Sequence, residues 1–82
     1  MTLQDIQPTS ETWTRRTAGM QWLAAYRIDA HAGQHVAVLS RWTDAIADPR
    51  QTLLRPRPSR EQAVWAVEQL LVLLGYQREG AL

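Results

Sequence analysis

The chain has 82 residues, no cysteine, and nine basic against eight acidic residues. That length allows one domain with a core near the lower limit for independent stability, and the missing cysteines exclude a disulfide framework and a thiolate metal site. A net charge of +1 supplies no bulk electrostatic case for nucleic acid; the N-terminus reads as no secretory signal, and no stretch approaches the roughly 20 apolar residues of a membrane span.

Residues 1–10 carry Pro8, Thr9 and Ser10 with few apolar groups and read as a loose tail. From Glu11 to Thr17 the aromatic and β-branched content rises, which predicts a first strand, and Ala18-Gly19 can turn the chain back. Met20–Ala30 and Gln34–Thr43 then alternate apolar residues around His31-Ala32-Gly33. This predicts a hairpin with a three-residue loop whose last residue, Gly33, takes the left-handed region at no steric cost.

The register that best separates apolar from polar faces pairs Ile28 with Val36, Tyr26 with Val38, Ala24 with Ser40 and Trp22 with Trp42. The first strand then sets Trp13 near Ala24 and Arg15 near Trp22. Trp13, Trp22 and Trp42 would converge on one face, and Asp29 would face His35. Asp48-Pro49-Arg50 predicts a turn, and Gln51–Arg55 a short fourth strand held at an edge by Pro56.

The clearest element is a helix over 60–74. Ser59 is a good N-cap with Gln62 completing a capping box, and Gly75 ends the helix as a left-handed cap that folds Tyr76 back. Ala63, Val64, Ala66, Val67, Leu70, Leu71 and Leu74 fall on one broad face. The expected core comprises Trp22, Tyr26, Ile28, Val36, Val38, Val67, Leu70 and Leu74. The patterning therefore predicts an α+β fold. A three- or four-stranded antiparallel β-meander carries one C-terminal helix packed across one face, with the domain spanning 11–76 and a tail over 77–82.

Candidates for chemistry are sparse. His31 and His35 flank a loop with no third ligand nearby, and no nucleophile, phosphate-binding glycine loop or dinucleotide fingerprint is present. No catalytic residue, cofactor or metal ligand is assigned.

Three surfaces attract attention instead. Trp65 and Val72 are seven apart and project opposite the core stripe of the helix, with Leu73 widening the apolar arc; contiguous exposed apolar groups mark contacts. Arg50, Arg55, Arg57 and Arg60 form the densest basic stretch, a docking strip for an acidic partner or for phosphates. The outer face of the meander presents Thr12, Thr14 and Arg16, then Leu23, Arg27 and Asp29, then His35, Leu39, Arg41 and Thr43. Arg16, Arg27 and Arg41 on such a face could enter a DNA groove. The strand–strand–strand–helix order is similar to that of integrase-arm DNA readers, whose motif positions do not line up here.

The favoured reading is a small cytoplasmic, non-enzymatic interaction domain (an adaptor, inhibitor or accessory factor). It would act as a homodimer or on a protein partner through Trp65, Val72, Arg55 and Arg57. The alternative is a nucleic-acid-binding regulator using Arg16, Arg27 and Arg41. No membrane partner is expected.

Overall fold

The computed structural model describes residues 11–43 and 49–78. Its elements run β1 (Trp13–Thr17), β2 (Met20–His31), β3 (Gln34–Thr43), β4 (Arg50–Leu53), α1 (Arg60–Leu73) and β5 (Gln77–Arg78). The strands form one antiparallel sheet in the order β4-β3-β2-β1-β5, and α1 packs on β2 and β3. The fold is α+β, with one more strand than the meander and its edge strand predict. Gln77 and Arg78, expected as tail, pair with Thr14 and Trp13. The tail expected over 1–10, the turn residue Asp48 and residues 79–82 lie outside the described residues.

The first turn follows the sequence reading. Trp13 faces Ala24 and Arg15 faces Trp22, across a turn in which Ala18 (φ 49°) and Gly19 (φ 78°) are both left-handed. The second hairpin departs from it by one residue. Tyr26 pairs with Leu39, Ile28 with Ala37, Ala24 with Arg41, Leu23 with Trp42 and Asp29 with Val36. The physical reason is the loop, which holds only Ala32 (φ 53°) and Gly33 (φ 76°) between the paired His31 and Gln34. Two left-handed residues make a two-residue turn whose twist matches that of the flanking strands, whereas a three-residue loop needs one extra unpaired position.

That slip exchanges the faces of β3. Ala37 and Leu39 join Trp13, Ala24, Tyr26, Val67, Leu71 and Tyr76 under the helix. Val36, Val38 and Trp42 turn to the far face, beside Leu23 and Ala25, so Trp42 does not meet Trp13 and Trp22. Of the expected core, Tyr26 and Val67 are buried beneath the helix and Val38 is buried on the far face. Trp22, Ile28, Leu70 and Leu74 pack half-buried at the margin of the core, and Val36 is half-buried on the far face.

β4 is an edge strand whose residues Arg50–Leu53 are all exposed. Leu54 N–H donates to Ala37 O at 3.0 Å, and Arg57 then exchanges both main-chain bonds with His35 at 2.8 Å. The second pairing is one residue out of step with the first, so Arg55-Pro56 accommodates a bulge. Proline, lacking an N–H, is tolerated there.

The helix begins where Ser59 Oγ accepts from Gln62 N–H at 3.2 Å. It ends in a cap where Gly75 N–H donates to Val72 O and Tyr76 N–H to Leu71 O. Gly75 takes φ 91°, and the reversal drops Tyr76 into the core, 3% exposed.

Candidate functional site

The helix divides cleanly into two faces. Ala63, Val67 and Leu71, spaced four apart, are buried against the sheet. On the opposite side Trp65 is 62% exposed, Val72 58% and Leu73 83%. The ridge expected at Trp65 and Val72 is therefore present, with Glu61, Gln62 and Gln69 as its exposed polar neighbours.

Beside Trp65 lies a shallow hollow of about 460 Å³ lined by Arg57, Glu61, Gln62 and Trp65. The bulge at Arg55-Pro56 creates it, because pairing Arg57 with His35 directs that arginine toward the side of the sheet that carries the helix. Arg57 is half-buried with its Nε enclosed and unpartnered, whereas Arg55 is exposed and does not line the hollow. Of the four residues predicted to bind a partner, Trp65 and Arg57 come together, Val72 extends the ridge, and Arg55 stands apart.

The three arginines of the alternative reading do not share a face. Arg16 pairs opposite Gln21 and Arg27 opposite Val38, both on the far side of the sheet from the helix. Arg41 pairs opposite the fully buried Ala24, so it rises on the helix side, with its Nε enclosed and unpartnered. His35, Leu39 and Thr43 move to that side with it. Arg27 is engaged by Asp29 at 3.1 Å, and Asp29 faces Val36, so the expected Asp29–His35 pairing is absent. Among the described residues no group of three His, Asp or Glu side chains is placed to hold a metal ion.

One polar network escaped the sequence reading. Tyr26 Oη donates to Glu68 Oε2 at 2.6 Å, and Arg78 reaches the same oxygen at 3.3 Å while lying over the Trp13 ring at 5.1 Å. Burial first, then the hydrogen bond to Glu68 and its charge, push the Tyr26 phenol well above its ordinary value. The network ties β2, α1 and β5 together at the rim of the core. A second polar feature lies at the free edge of β1, where Thr14, Arg15, Arg16, Gln21, Gly75 and Gln77 surround a cleft of about 380 Å³. Among the described residues no helix is long and apolar enough to cross a membrane. Comparison with protein-family models, with curated proteins and with solved structures gives no match to this chain.

Proposed function

We propose that this protein is a small non-enzymatic interaction domain that acts as a homodimer through the outer ridge of α1. The observation that carries this reading is the exposure of Trp65 and Val72, stacked two turns apart on a helix whose other face is already buried. Tryptophan is the residue type most often found as the anchor of an interface, because it buries a large area at small entropic cost. Covering both side chains contributes about 2–4 kcal/mol per protomer by area, given that each is roughly 60% exposed.

A two-fold axis across the ridge would set Trp65 of one protomer against Val72 of its partner, the same patch on both sides. The hollow between Arg57 and Trp65 supplies a concavity next to the protruding indole, which supports a contact between two copies of this patch. The nucleic-acid reading has less support, since Arg41 is separated from Arg16 and Arg27 by the thickness of the sheet.

Sedimentation of the full chain is expected to show a dimer at micromolar concentration. Trp65→Ala is expected to weaken it at least about tenfold without loss of helicity, because the substituted side chain is outside the core. A monomer at all accessible concentrations would remove the proposal.

A further inference from the structure

We propose that the cleft between the free edge of β1 and the C-terminal cap of α1 binds a small phosphorylated compound, held by Arg15 and Arg16. The fold opens the cleft in two ways. β5 pairs only with Trp13 and Thr14, so among the described residues the outer edge of β1 from Arg15 to Thr17 has no strand partner. Such an edge presents main-chain N–H groups to an incoming acceptor. The helix cap then turns sharply at Gly75, and a Cβ at this position would meet Arg15 Cδ at 3.3 Å. Glycine there leaves the arginine stem its path along the wall.

The lining is rich in donors. Arg15 and Arg16, approaching from the two faces of β1, line about 380 Å³ together with Thr14, Gln21 and Gln77, and among the described residues no acidic residue lines it. In a chain of nearly balanced charge this is, among the described residues, a local concentration of positive charge without a counter-charge. Arg15 shows the imbalance most clearly. It is half-buried, its Nη1 donates to Leu74 O at 2.8 Å, and its guanidinium lies 5.3 Å from the centre of the Tyr76 ring. Its Nε is enclosed without a partner, and among the described residues no carboxylate pairs with it. Arg78 and Arg27, by contrast, are each matched by acidic side chains within 3.6 Å. A partly desolvated guanidinium without a counter-charge is unfavourable, and an oxyanion restores the balance.

Charge and size together select the ligand. A carboxylate is satisfied by one arginine fork, whereas a phosphate monoester carries close to two negative charges on three acceptor oxygens and suits two guanidinium groups. The cleft lies in the few-hundred-Å³ range of small-molecule sites, which leaves room for the esterified group beside the phosphate. Threonine and glutamine line that remaining space, and among the described residues no aromatic ring lines it, which fits a polyol or sugar.

The test is a titration of the isotope-labelled full chain with glycerol phosphate at constant ionic strength, followed by amide chemical shifts. Saturable shifts are expected at Arg15, Arg16, Gln21, Gly75 and Gln77. Inorganic phosphate is expected to move the same amides with lower affinity, and acetate to give no saturation. Arg16→Gln, which alters an exposed side chain, is expected to weaken binding about tenfold, the worth of one charged contact, with an unchanged unfolding midpoint. Arg27→Gln, on the same sheet face but outside the cleft, is expected to leave it unchanged. Shifts spread evenly over all nine arginines, acetate binding as tightly as the ester, or full affinity retained in Arg16→Gln would each overturn the site.

Discussion

Ala32 decides which face β3 presents to the helix. Its φ of 53° lies in the left-handed region, where a Cβ meets the following carbonyl at a cost of about 1 kcal/mol. Asparagine is the favoured residue at this position of a two-residue turn, because its short polar side chain bonds locally. Ala32→Asn is therefore expected to stabilise the fold by about 0.5–1 kcal/mol in denaturant unfolding. Destabilisation would show instead that the loop holds three residues. Tyr26 gives a second prediction at this scale. Its phenol ionises at higher pH in the folded protein than in the unfolded chain, so the folded state retains a proton that the unfolded state loses. The stability this contributes is complete below pH about 10 and is lost as pH rises above it. Thermal midpoints measured upward through pH about 10 are expected to fall, and the fall to be shallower in Tyr26→Phe. Equal slopes in both proteins would place the loss elsewhere.

Among the elements, the helix was the most legible in the sequence, and the reason is that its signals are local. Ser59, Gln62 and Gly75 each act within a few residues, and the four-residue spacing of Ala63, Val67 and Leu71 can be counted directly. Because the buried stripe was readable, so was the ridge opposite it. β3 was not, since Val36-Ala37-Val38-Leu39 is apolar at four successive positions and alternation expresses no preference between faces. The choice fell to the turn, where alanine in a left-handed position contradicts local propensity. Arg41 could take the helix side because its long stem packs along apolar surface while the charged end reaches outward. The hollow beside Trp65 was hidden for a different reason, as Arg57 reaches it only through the bulge at Arg55-Pro56. Nor could sequence spacing reveal the β1 cleft, where Arg15 meets Leu74, 59 positions away.

At the scale of the molecule, among the described residues one 14-residue helix packs on one side of a five-stranded sheet. Among the described residues the core beneath it centres on Leu39, Val67 and Leu71, with Trp13, Tyr26 and Tyr76 buried around them. Apolar residues lie outside that core as well, exposed at the ridge of α1 and half-buried at Leu23, Val36 and Trp42 on the far face of the sheet. Association and folding are then thermodynamically linked, because a dimer removes folded monomer from the unfolding equilibrium. Each tenfold rise in concentration adds about 1.4 kcal/mol per dimer, or roughly 0.7 kcal/mol per protomer, which shifts the midpoint of a domain this small by a few degrees. Calorimetry across such a concentration range is expected to show that rise in the native chain and to lose it in Trp65→Ala. A midpoint independent of concentration would mean that the ridge stays uncovered. A dependence that survived Trp65→Ala would move the interface to the far face, where Leu23 and Trp42 pair side by side.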